Sequence, residues 1–440
     1  MTGRAGMGRV VRDSLVVLGV ALLTYQGLRR WVSDRYVVPS DSMQPLLFGS
    51  EENGDVVLVD KLASASGLER YDTLVARHPE DPNARLVKRV VAFGDDLDRC
   101  WVELRDGDLW LGPDAQRLAR EVKDPLESRD LRAVWFAWPG KDQVVAERFL
   151  VGPTTEGSSE PGRSAPAPAR QLQLLPTAGP EQTRSSLQLS VRQQRHDQGL
   201  DVCEPGWVST RRAVDGSYCD AYGTRGREGQ ATEVSDVGMD FEVVPDSVHD
   251  LYCGLDLRPD AWMFHWRPAD SKVALWCNGQ VLAEHDLPAD LLARDREPGS
   301  PVRVEYGLLD GQFFFAVGSR PDSLWCVERK PEWGGADPGS APWQPLRTRL
   351  YIGANATEPV PISRLVVFRD VYWFRLPQLG MDPGRKAVAT LVPPGHLYLL
   401  GDNSFDSTDS RMFGPVGAEN LMGRPRAVIG PYPRFQWLSR

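Results

Sequence analysis

Apolar and polar positions alternate with period two along most of the chain. The stretches "DVVLVDKLA" (55–63), "DTLVARHP" (72–79) and "ARLVKRVVAF" (84–93) each read as a strand. "CWVELRDGDLWLGP" (100–113) predicts a hairpin turning at Asp106-Gly107. "DAQRLAREVKDP" (114–125) is spaced as one short amphipathic helix. Residues 152–187 are rich in Pro, Ser and Gly, cannot bury much, and predict a linker or loose loop. Strand patterns return from 188 to 375, with hairpin signals at Asn278-Gly279 and Asp310-Gly311; without intervening helices they predict a β-sandwich. Residues 376–440 read as polar turns around short strands, so the expected fold class is mainly β.

One segment breaks the alternation. "SLVVLGVALLTYQGL" (14–28) carries no charge and is flanked by Arg12 and by Arg29, Arg30 and Trp31. It is shorter than the ~20 residues of a spanning helix. Snorkelling arginines and an interfacial tryptophan extend its reach. A cleavable signal peptide is the rival, but no small-x-small site follows the run. The expectation is an uncleaved anchor whose orientation the flanking arginines do not fix.

With 440 residues the chain has room for two or three domains. The formal net charge of −9 argues against a nucleic-acid partner, which would show a basic excess. The six cysteines show no CxxC or Cys/His ligand spacing, so neither zinc nor any other metal or cofactor is expected. Closeness alone makes Cys203 and Cys219 a candidate disulfide; buried free thiols suit the other four.

The candidate chemistry lies just after the apolar run. "VVPSDSMQPLL" (37–47) holds two serines two apart. A hydroxyl is a poor nucleophile without a base, and none of the six histidines sits in a familiar triad context. A desolvated lysine can serve instead. Lys88 shares a strand face with Leu86 and Val90. Lowering a lysine from about 10.4 to between about 7 and 8 takes roughly 3–5 kcal/mol, which an apolar cleft can supply.

Four stretches then resemble the boxes of the type I signal peptidases, the Ser-Lys proteases. "VPSDSMQPLL" is similar to their nucleophile box. "RYDTLVARHP" is similar to the Arg-Gly-Asp box with Tyr71 in the glycine's place. "LVKRVVAFGDD" is similar to the lysine box with Phe93 where proline is usual, and "LGDNSFDSTDSRMFGPV" to the last box. The resemblance implies Ser42 as nucleophile, Lys88 as general base, and an oxyanion hole from the Ser40 hydroxyl and the Ser42 N–H. It implies Ser407 bonded to the Lys88 amine, and Asp409 with Arg411, and with Arg89, as a supporting ion pair. Gly401, Asp402 and Asn403 would shape a turn beside the site. Met43 would pack under a cleft in which Val37, Val38 and Pro39 bind substrate by strand addition. Asp41 is a departure; alternation along an extended chain would turn it away from Ser40 and Ser42.

The implied activity is removal of signal peptides from exported preproteins, after small residues at −1 and −3. The implied place is a plasma or inner membrane, single-pass, with the catalytic part on the extracytoplasmic side. The expected domains are a tail and anchor (1–30), a catalytic core (31–112 and 377–440), an insertion start and linker (113–187) and an inserted sandwich (188–376). The sandwich resembles concanavalin-like jelly rolls, and "LVVFRDVYWF" (365–374) resembles the inserts of enlarged signal peptidases of planctomycete-type bacteria. Expected partners are preprotein signal peptides, the lipid membrane and an unidentified ligand of the sandwich. The alternative is a catalytically degenerate scaffold that presents a lectin-like domain. A self-cleaving repressor shares the Ser-Lys pair but would begin with a helix-turn-helix instead of an apolar run.

Overall fold

The computed structural model describes, short gaps aside, residues 32–138, 236–330, 348–373 and 388–438, with short strands between 150 and 210. The expected anchor lies outside the described residues, save Val17 and Leu18, which are helical. No helix among the described residues is long and apolar enough to cross a membrane. Cys203 and Cys219 also lie outside them; Cys100, Cys253, Cys277 and Cys326 are free thiols. The chain divides into two compact units, 1–119 with 373–440, and 120–372.

The first unit is built on one antiparallel sheet in which strands from both ends of the chain alternate. Its order is Ser33–Val37, Val56–Asp60, Leu421–Gly430, Thr73–Arg77, Arg85–Phe93, His396–Leu400, Val416–Gly417. Leu421–Gly430 runs between two N-terminal strands, with Val57 opposite Val428 and Val75 opposite Gly423. Arg85–Phe93 is likewise held on both sides, by Thr73–Arg77 and by His396–Leu400. Val38, Met43, Leu47, Val57, Val75, Val87 and Val428 form one apolar core, and Leu74, Val90, Leu397, Leu399 and Val416 a second. The predicted hairpin forms from Trp101–Arg105 and Asp108–Gly112, with Gly107 at φ 96°.

The helix expected over 114–125 does not form. The Asp114 carboxylate accepts the N–H groups of Gln116 (3.0 Å) and Arg117 (2.9 Å), closing a turn that competes with helix. Lys123 is drawn instead into a buried ion pair with Asp310.

The second unit is a sandwich of two antiparallel sheets. One holds Val237–Val243, Val302–Leu309, Gln312–Val317, Leu324–Glu328 and Val360–Arg369; the other holds Asp250–Leu257, Asp260–Arg267, Lys272–Cys277, Gln280–Asp286 and Thr348–Asn355. Alternate residues of both meet in one core, where Trp262 stacks on Phe313 at 4.4 Å and Phe264 meets Phe315 at 5.5 Å. Asn278-Gly279 and Asp310-Gly311 take the left-handed pairs of φ, 49° and 83°, 47° and 75°, that two-residue hairpins require. The segment read as linker contributes Thr154–Thr155 and Gln171–Leu174 to the first sheet, so it is not loop throughout. Its Gln-Leu alternation is only four residues long and easily missed.

Trp262 fills the centre of this core and is fully buried. Trp262→Ala is expected to lower the unit's unfolding free energy by about 3–5 kcal/mol, read from its own urea transition.

Candidate active site

Ser42 does not sit on extended chain. Asp41–Met43 form one 3-10 turn, flanked by extended residues at Ser40 and Gln44. Met43 anchors the turn from below, wholly buried in the core. Asp41 is held by an acceptor role: its Oδ1 takes the Gly49 N–H at 3.1 Å. The alternation expected for 40–42 is replaced by this turn because Met43 drives into the core and Asn403 clamps the carbonyls. Asn403 donates from its backbone N–H to the Ser42 carbonyl (3.0 Å) and from Nδ2 to the Asp41 carbonyl (3.1 Å).

Lys88 enters from the middle of Arg85–Phe93, opposite Leu74, and is 3% exposed. Its Nζ donates to Ser42 Oγ at 2.6 Å. Burial lowers its pKa from 10.5 to about 8, against the opposing pull of the Asp409 carboxylate. The two residues lie 46 positions apart and meet only because their elements pack together. Ser40 is exposed, with its Oγ 3.4 Å from Ser42 Oγ.

The last box closes around this pair. Asp409 is a buried hub whose carboxylate accepts from Gly401 N (3.0 Å), Ser407 Oγ (2.7 Å) and Arg411 Nε and Nη2 (2.8 and 2.7 Å). Arg411 also reaches the Ser404 hydroxyl and carbonyl. The Asp409–Arg411 pair therefore forms as expected. Ser407 departs from expectation, for its one hydroxyl hydrogen goes to Asp409 and it makes no bond to Lys88 in this structure. What remains on Ser407 Oγ is acceptor capacity.

Arg89 is not part of the Asp409 pair. It makes a two-pronged, solvent-free pair with Asp402, Nε to Oδ1 at 2.7 Å and Nη2 to Oδ2 at 2.6 Å. The sequence reading gave Asp402 and Asn403 only turn roles. The missed signal was Arg89 itself, a guanidinium facing into a sheet that must find a buried carboxylate. Arg89 Nη1 also donates to the Tyr71 carbonyl at 2.6 Å. Tyr71 occupies the glycine's place at φ 73°, a conformation that costs a side-chain-bearing residue about 1–2 kcal/mol. Stacking on Trp373, 6.2 Å between centroids and 9° between planes, helps hold it there. Phe93 stands where proline was expected and packs against the second core.

The substrate-side residues divide. Val37 ends the strand at one edge of the sheet and is exposed, as is Pro39. Val38 is buried; its N–H donates to the Asp55 carbonyl and its carbonyl accepts the Ser50 N–H, so side chain and backbone are both engaged within the unit.

Residues 11–128 and 374–429 match the family model described as signal peptidase, peptidase S26. The chain carries a divided peptidase S26 domain. Signal peptidase I of Aquifex aeolicus is 34% identical over 87 residues, 20% of this chain and 32% of that protein. Signal peptidase I of Pseudomonas aeruginosa is 34% identical over 91 residues, 18% and 31% of the two chains. The mitochondrial ATP-independent inner membrane protease subunit 1a of Arabidopsis thaliana is 44% identical over 56 residues, 12% and 33%. The chain thus spans about a third of the length of these S26-type relatives. A Caenorhabditis elegans galectin covers 30% of this chain and 83% of its own at 14% identity, with a TM-score of 0.21, too low to carry an argument.

Two expectations follow from the geometry. A Cβ on Gly401 would lie 2.2 Å from Ser407 Oγ and 2.5 Å from the Ser42 carbonyl oxygen. Gly401→Ala should therefore displace the Ser42 turn and reduce its acylation by an active-site-directed probe at least about tenfold. Removing Asp402 strands the Arg89 charge, and Asp402→Ala should cost about 3–5 kcal/mol in denaturant unfolding of the S26 domain.

Proposed function

We propose that the divided S26 domain is a membrane-anchored serine endopeptidase that removes signal peptides from exported preproteins. The observation that carries this reading is the buried contact between Lys88 Nζ and Ser42 Oγ, with the lysine lowered to about 8. Near neutral pH an appreciable fraction of such an amine is free base. In that state it accepts rather than donates, and the same contact becomes the path for the hydroxyl proton. Ser42 Oγ then attacks the substrate carbonyl. The Ser42 N–H and the Ser40 hydroxyl receive the oxyanion, and the Lys88 ammonium returns its proton to the leaving amine. Ser407, Asp409 and Arg411 fix the electrostatics behind the lysine. Substrate adds as a strand at the exposed Val37, Pro39 and Ser40 positions and presents small residues at −1 and −3.

The anchor is residues 14–28, which place the S26 domain beside the extracytoplasmic bilayer surface; Leu28 to Ser42 reach at most about 50 Å when fully extended. Tyr432, Phe435 and Trp437 support a bilayer-side location, since they stand 97%, 62% and 70% exposed on the catalytic unit and suit a membrane interface.

Cleavage of a preprotein by the full-length chain in lipid tests the reading. Wild type should cut after a small residue, while Ser42→Ala and Lys88→Ala should each lose at least about 10³-fold in rate. Absence of cleavage in wild type across several preproteins would favour the degenerate scaffold.

The pH dependence has a definite sign. Activity should rise about tenfold per unit on the acid side and level off above about pH 8, as Lys88 loses its proton. Stability carries the mirror of this. A lysine whose folded pKa lies below its unfolded value destabilises the fold fully below about pH 8, and that penalty fades as pH rises towards 10.5. Lys88→Met should therefore be more stable than wild type at pH 7 by roughly 3 kcal/mol, with the gap narrowing above pH 8 in parallel urea titrations.

A further inference from the structure

Lys123 is a second buried lysine, and the S26 chemistry does not use it. It lies near the start of the sandwich unit with its side chain 2% exposed. Its Nζ touches two carboxyls at once, Asp310 Oδ1 at 2.6 Å and Asp370 Oδ2 at 2.8 Å, whose side chains are 0% and 7% exposed. The geometry is fixed from several sides. Asp310 opens the two-residue turn at φ 47°, and its Oδ2 accepts the backbone N–H of Lys123 at 3.0 Å. Asp370 follows the long strand Val360–Arg369, and its N–H is held by the Asp236 carbonyl at 2.9 Å. Apolar Leu309 and Val371, both buried, flank the two acids in sequence.

The geometry points to a covalent fate for this group: an intramolecular amide bond between Lys123 Nζ and Asp370 Cγ, with Asp310 as the proton relay. One ammonium cannot neutralise two carboxylates, and a low-dielectric site disfavours the surplus charge. Burial raises the pKa of Asp370, which favours the carboxylic acid there over a second carboxylate. The starting groups are then an ammonium, the Asp310 carboxylate and the Asp370 carboxylic acid. The ammonium passes one proton to Asp310. The neutral amine attacks Asp370 Cγ, the C–OH bond breaks, and the hydroxyl leaves as water with a second proton from nitrogen. One hydrogen stays on the amide nitrogen and one on Asp310, and no net charge or electron is gained or lost. Amine and acid lie within hydrogen-bond distance in the folded unit, which supplies the proximity that amide formation lacks in solution. Exclusion of water from the site opposes the reverse reaction. The product would tie the beginning of the unit to its end.

Intact-mass spectrometry of the purified full-length chain, with Lys123→Arg beside it, is the test. Wild type is expected to be lighter than its sequence by one water, after any terminal processing that both proteins share. Lys123→Arg should show no such loss. Digestion of wild type should yield one branched peptide joining Lys123 to Asp370, with no cleavage by trypsin after Lys123. Asp310→Asn should reduce the branched fraction at least about tenfold by removing the relay. All species are read in denaturant, and the wild-type mass alone decides the main point even where a variant folds poorly. A wild-type chain of full sequence mass overturns the proposal, and a branch on Asp310 overturns the assignment of Asp370. Neither result bears on whether Ser42 and Lys88 cleave preproteins.

Discussion

A primary amine removed from water loses part of its hold on a proton, and the first unit is arranged around one such amine. Lys88 is delivered by the strand that has partners on both sides, so its desolvation is a property of the whole sheet and not of a flexible loop. Its neighbour Arg89 faces the same problem with the opposite solution. A guanidinium stays charged, so the fold supplies Asp402 and the Tyr71 carbonyl. Among the described residues, Lys88 bonds to a hydroxyl and makes no ion pair, while Arg89 is paired with a carboxylate. That contrast between adjacent residues on one strand distinguishes a titratable group from a structural one.

The hydrogen-bond pattern shows how far the last box supports the first. Asn403 holds the carbonyls of the serine turn, and Asp409 gathers Gly401, Ser407 and Arg411 into a single carboxylate. Because low dielectric strengthens each of these contacts, the loop from 401 to 411 behaves as one rigid brace rather than as separate bonds. Gly401 marks the tightest point of that brace, where chain passes chain with no room for a methyl group.

Much of this was legible in residue order. The period-two pattern foretold Val56–Asp60, Thr73–Arg77 and Arg85–Phe93 but not the ten-residue strand Leu421–Gly430, and the dipeptides Asn278-Gly279 and Asp310-Gly311 foretold their turns, because these signals depend on neighbours in sequence. The pairing of Ser42 with Lys88 was expected from box resemblance and from the apolar strand face of Lys88, and that of Asp409 with Arg411 from box resemblance alone. The parts that were not visible are those set by distant partners. Asp402 needed Arg89, 313 positions away, to reveal its role. Residues 114–125 had a helical spacing, but Asp114 and Lys123 found other partners. Ser40 to Ser42 looked extended until Met43 and Asn403 bent them.

The interleaved order of the first sheet has a consequence in time. Leu421–Gly430 lies between Val56–Asp60 and Thr73–Arg77, so two N-terminal strands cannot be joined until a segment from the far end of the chain arrives. Contacts of such long sequence separation form late and slowly. During synthesis the sandwich unit emerges whole before the strand that completes the Ser42–Lys88 site. A nascent chain therefore lacks the strand that joins these two N-terminal pieces until translation has passed the last box.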